Sequence, residues 1–203
     1  MAEKLQIAVA AVDAIVFPCY DKKCPGDWII ERMTSYLRLG FSQMRGQVFE
    51  HYVGEAMLLH GIEENRISKN VDVVTGKATE MDYLISPNFS TRYFAIHCKT
   101  SVRERWQQAD RAAIISDVEP CALQGRIDHH LITWREKPED TLEKEREFCS
   151  AKGSEFYSLK TMVTVMDNAR VAELFNQIKG ATKKAIYKPQ GVGKMRACTK
   201  RSV

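Results

Sequence analysis

The segment "TEMDYLISPNFSTRYFAIHCKTSVRERWQQADR" sets a carboxylate, Asp82, ahead of a lysine, Lys99, and follows the lysine with two arginines, Arg103 and Arg105. Side chains on a strand alternate between faces, so in "RYFAIHCK" Tyr93, Ala95, His97 and Lys99 share one face while Phe94, Ile96 and Cys98 share the other. Phe94 and Ile96 read as core, which leaves His97 and Lys99 projecting together. If "PNFST" closes a hairpin, Asp82 on the preceding run comes beside them. One carboxylate, one lysine and a third polar group at a sheet edge suit a hard metal ion and an activated water. The lysine can orient that water, lower its pKa or stabilise charge building on a phosphate.

These residues need elements that hold them. "LQIAVAAVDAIVF" carries Leu5, Val9, Val12 and Val16 on one stripe and predicts an amphipathic helix, and after the breaker-rich "FPCYDKKCPGD" a second helix is predicted to about Leu39, capped by Asp27. A third, "RGQVFEHYVGEAMLLHG", stripes Phe49, Val53, Ala56 and His60 and ends at Gly61. The runs "VDVVT", "MDYLIS" and "RYFAIHCK", separated by "GKATE" and "PNFST", predict an antiparallel meander. "SVRERWQQADRAAIIS" has Val102, Trp106, Ala109 and Ala113 at helical spacing, with Ser101 and Glu104 set for a capping box. A strand "HHLITW", a charged helix around "TLEKEREFCSAKG", a strand "MVTVMD" and a last helix "NARVAELFNQIKG" complete the order.

The 203 residues, 44% hydrophobic and 28% charged, fit one globular domain. Within it, 1–42 is a helical extension, 45–135 the core that carries the chemistry, and 136–203 a strand, a helix and a basic tail. Six cysteines lie scattered with no export signal before them, which predicts reduced thiols in a cytoplasm. "CYDKKC" has no second Cys or His pair at ligand spacing, so a zinc site is not expected. No run approaches the ~18 apolar residues of a membrane span. Net charge is +4, and "KGATKKAIYKPQGVGKMRACTKRSV" is strongly basic without an acid. Such a tail suits an anionic partner, although many are merely solvated.

The constellation resembles the PD-(D/E)XK nuclease superfamily, and within it the type II restriction endonucleases. The resemblance covers roughly residues 45 to 135 and implies a restriction-endonuclease-like α/β fold, an α-β-β-β-α-β mixed sheet flanked by helices. In that family the first acid sits on the second strand, the (D/E)XK triplet on the third, and the preceding helix often supplies a glutamate. Carried over by position, Asp82 matches the first acid, Lys99 the lysine, and Glu50 in "RGQVFE" the helix glutamate. "CKTSVRERWQQADR" is also similar to the "KTT.K.RW.Q" signature of one branch, with Arg103 where that branch has a second lysine.

At the triplet's acid position stands His97, and imidazole suits softer ions better than Mg²⁺. Three alternatives are open: an unusual metal site that includes His97, a carboxylate role for Glu50, or an inactive variant. The resemblance implies Mg²⁺, with Mn²⁺ able to substitute, as cofactor at Asp82, His97 and Glu50. It also implies double-stranded DNA as partner, a homodimer matched to a palindromic site, and the cytoplasm of a prokaryote. Arg103 and Arg105, in the first turn after the lysine strand, are expected to contact phosphate, together with Ser101 and with Lys183 and Lys184 of the tail. Two competing readings are a DNA-binding protein that has lost catalysis, and a basic RNA-binding or interaction domain in which Asp82 and Lys99 are incidental.

Overall fold

The structure is a computed structural model that describes residues 2–16, 19–41, 43–74, 80–87, 91–100, 112, 115–116, 119–134 and 163–180. Its elements run α1 (Ala2–Asp13), α2 (Pro25–Arg38), α3 (Arg45–His60), β1 (Ile67–Asp72), β2 (Glu80–Ile85), β3 (Tyr93–Lys99), β4 (Ile127–Thr133), β5 (Val163–Thr164) and α4 (Asn168–Gly180). The charged helix expected around "TLEKEREFCSAKG" lies outside the described residues.

The five strands form one mixed sheet in sequence order. β1–β2 and β2–β3 are antiparallel, as the closely spaced runs predict, and β3–β4 and β4–β5 are parallel. Parallel neighbours need a crossover connection between them. Of the described residues between Lys99 and Ile127, Ala112, Ile115 and Ser116 are helical, and Ala112 and Ser116 are buried. The architecture is therefore α/β, with helices on a mixed sheet.

One face of the sheet packs on α2, α3 and α4. Trp28, Ile29, Met33 and Tyr36 of α2, Phe49, Tyr52, Val53 and Met57 of α3, and Leu174, Phe175 and Ile178 of α4 share a core with Tyr83, Ile85, Ile96, Cys98 and Ile132. The first two helices thus belong to the main core, with Ala8 and Val12 of α1 in the same cluster. α2 opens with Pro25, whose missing N–H is not needed there. Asp27 does not cap it. Asp27 sits in the first turn and is tied to α4, its Oδ1 accepting from Asn168 Nδ2 at 2.7 Å and its N–H donating to Asn168 Oδ1 at 2.8 Å. α3 ends at Gly61, which takes the left-handed conformation (φ 94°) that lets its N–H reach back to Leu58.

The opposite face holds a smaller cluster of Met81, Leu84, Ala95 and Ile127. Strict alternation along β2 would send Met81 to the side of Tyr83, yet it packs with Leu84. The slip falls at Asp82. Across from it on β1, Asn70 has φ 51° and lies between the pairs Lys69↔Tyr83 and Val71↔Met81. β1 also starts earlier than the run "VDVVT" predicts. As an edge strand it carries exposed Ser68, Lys69 and Asn70, and so lacks an apolar signature.

Candidate active site

The antiparallel ladder between β2 and β3 stops at Tyr83↔Ile96. One step further, where Asp82 and His97 would face each other, the strands part. The carboxylate of Asp82 enters the gap and Oδ2 accepts the backbone N–H of Cys98, replacing the missing ladder bond. The same oxygen accepts from Lys99 Nζ at 3.1 Å. Both side chains are mostly covered, at 13% and 14% exposure, so the pair is a half-desolvated, charge-assisted contact and not a surface ion pair. Asp82 and Lys99 are thus brought together, as strand alternation and the hairpin predict.

Glu50 approaches from the other side. It lies in the first half of α3, and its backbone carbonyl accepts from Tyr83 Oη at 2.6 Å, next to Asp82 in sequence. The negative charges of Asp82 and Glu50 both act on Cys98: burial pushes its thiol well up, and the two carboxylates push it further. Cys98 is therefore an inert thiol at neutral pH, although it lies at the centre of the site. The Tyr83 phenol is likewise driven up, by burial first and then by Cys98, Glu50 and Asp82. It stays a protonated donor.

His97 goes elsewhere. It pairs with Leu131 on β4, is 2% exposed, and shares a hydrogen bond from Nε2 to His129 Nδ1 at 3.2 Å. The two imidazoles stack 15° from parallel, and His129 Nε2 continues the chain to Ser116 Oγ at 2.9 Å. Burial holds His97 well below the usual histidine range, with the charge of His129 adding to it, and holds His129 down at about 4. His130, on the other face, stacks on Phe94 and is also held at about 4 by burial. His97 thus shares Lys99's face, as parity requires, but makes no hydrogen bond to Asp82. Sequence reasoning found no pattern in His129 and His130. The signal for His129 lay in the parallel register, which sets it against Ala95, one step from His97 on the same face.

The donor set decides which ion this site can take. Mg²⁺ needs oxygen ligands and commonly takes only one or two carboxylates, with water and substrate phosphate completing its shell. By residue type Asp82 and Glu50 are oxygen donors of that kind. His97 is not, because it is a buried neutral imidazole engaged with His129. Among the described residues no group of three or more His, Cys, Asp or Glu side chains is arranged to hold a metal ion. Arg103, Arg105, Ser101, Lys183 and Lys184 lie outside the described residues, so the expected DNA contacts carry no structural account.

No described helix is long and apolar enough to cross a membrane. Comparison with protein-family models, with curated proteins and with solved structures returns no match. The chemistry has to be read from the site's own residues.

Proposed function

We propose that the chain is a metal-dependent phosphodiester hydrolase acting on double-stranded DNA, with a restriction-endonuclease-like core and the activity of a type II restriction endonuclease. The observation that carries this reading is the Asp82–Lys99 ion pair in the gap where β2 and β3 part, with the Glu50 carbonyl of α3 bonded to Tyr83, the residue next to Asp82. A helix followed by two antiparallel pairings and then parallel ones, with an acid on the second strand and a lysine at the end of the third, supports it further.

Each residue then has a task. Asp82 and Glu50 would hold Mg²⁺ or Mn²⁺, which when bound polarises phosphoryl oxygen and lowers the pKa of a coordinated water. Asp82 also orients Lys99, whose ammonium is set to stabilise negative charge gathering on the phosphate. The buried neighbours Cys98, Tyr83 and Ile96 keep one side of the site dry and strengthen these electrostatic contacts. Homodimer assembly would match protein symmetry to a palindromic site.

One observation favours a second reading. The triplet's acid position holds a histidine turned into the sheet's covered face, so the site has one carboxylate fewer than the family's triplet. A DNA-binding protein with impaired catalysis on the same fold follows from that.

Incubating supercoiled plasmid with the protein and Mg²⁺ or Mn²⁺ separates the two. Discrete fragments that vanish in Asp82→Ala support the hydrolase. A divalent-dependent mobility shift with intact plasmid supports the impaired binder. Neither cleavage nor binding would overturn both.

A further inference from the structure

We infer that Tyr83 is a positioning residue for the Asp82 and Glu50 carboxylates, its hydroxyl seated on α3 where Gly54 has no side chain. This rests on reading Asp82 and Glu50 as the cation-binding pair. Two carboxylates facing one cation repel each other before it arrives, so their separation must be held by the frame around them. Asp82 sits on a strand and Glu50 on a helix, and side-chain packing alone leaves a strand free to slide along a helix by fractions of an ångström. Tyr83 removes that freedom. Its backbone is fixed by the last ladder pair, with Ile96, and its hydroxyl by the Glu50 carbonyl at 2.6 Å. One residue therefore ties the backbone next to Asp82 to the backbone of Glu50 itself.

The helix is shaped to receive it. The Glu50 carbonyl lies inside α3, so the phenol is an added donor at a carbonyl the helix geometry already supplies with Gly54 N–H. A Cβ at Gly54 would lie 2.4 Å from Tyr83 Oη and 3.0 Å from Cζ, distances that force the ring to move. Glycine in a helix interior is less favourable than alanine. Here it opens the notch that the hydroxyl occupies. Tyr83 is 3% exposed, so the ring is held in that notch by its surroundings.

The test is Mn²⁺ binding to the full chain without DNA, measured by calorimetry or by the free-Mn²⁺ spin-resonance signal, alongside thermal melting. Tyr83→Phe keeps the ring and loses the tie, and its expected Mn²⁺ affinity falls about 10- to 100-fold, the range for groups that orient ligands from behind, while folding is retained. Gly54→Ala should lower both melting temperature and affinity. In the double variant Tyr83→Phe/Gly54→Ala the closest clash, 2.4 Å to the hydroxyl, is gone and the 3.0 Å approach to Cζ stays, so melting should recover in part relative to Gly54→Ala while affinity stays as low as in Tyr83→Phe. Recovery of both together would mean a purely structural role and overturn the inference. Asp82→Asn and Glu50→Gln separate the two levels of the argument. If they bind Mn²⁺ as the parent does, the cation site itself is wrong. If they lose binding and Tyr83→Phe does not, only the inference fails.

Discussion

Lys99 and His97 stand two residues apart on the same face of β3, yet one ends in a charged, half-open wedge and the other in a covered, neutral stack. Lys99 is at the strand end, where β2 has parted and Asp82 supplies a counter-charge at 3.1 Å. His97 is one step inward, buried beside β4, and the partner offered is another imidazole, His129, itself bonded to Ser116. Residue type does not decide the difference; the surroundings do. Asp82 gives the Lys99 ammonium a counter-charge at the end of a ladder, whereas burial first, with His129 adding to it, holds His97 below the usual histidine range.

The largest effect that would break this contrast is at Asp82. Asp82→Ala should cut any cleavage by about a hundredfold or more while DNA binding persists or tightens, because a carboxylate that repels phosphate is gone. Lys99→Ala should stop turnover similarly. Near-normal cleavage by either, in a plasmid assay, would mean that the wedge is structural.

His97→Ala is expected to do the opposite. Emptying a buried position and leaving His129 Nδ1 without its partner should cost about 2–4 kcal/mol of stability in denaturant unfolding, with Mn²⁺ affinity unchanged in the folded fraction. Loss of Mn²⁺ binding without loss of stability would place His97 in the metal shell after all.

The stack also sets an acid limit. His129 and His130 are held at about 4, and His97 is depressed as well, against an ordinary value near 6.5. The unfolded chain therefore binds protons that the fold refuses. Stability from the neutral stack is fully present above pH 6.5 and is lost as pH falls toward 4, with a slope of up to about 1.4 kcal/mol per pH unit for each histidine. Replacing His129 with Gln should flatten the fall in melting temperature between pH 6.5 and pH 4.5. An unchanged slope would show that the histidines take up protons in the native state.

Much of the wedge was legible from one-dimensional rules. Alternation along β3 and a hairpin turn bring Asp82 to Lys99, and the stripe Phe49, Val53, Ala56 and His60 with Gly61 after it marks α3. The fate of His97 was not, because parity names the face and not what covers it. The covering groups come from β4 and from the crossover helix, and only the parallel register brings them over. The slip at Asp82 was equally invisible, since it depends on Asn70 of a neighbouring strand leaving the extended region. Asp27, a good cap by type, is claimed instead by Asn168 of a helix far away in sequence.

The parallel register has a consequence for the order in which the molecule assembles. β2 and β3 close through a short connection, so the Asp82 wedge needs only local chain, whereas joining β4 to β3 closes a loop of about thirty residues at a higher entropic cost. During refolding the wedge should thus form before its histidine neighbour is roofed over. Pulsed hydrogen exchange should find the β2–β3 amides protected earlier than those of β4, and simultaneous protection would show that the sheet condenses as one unit.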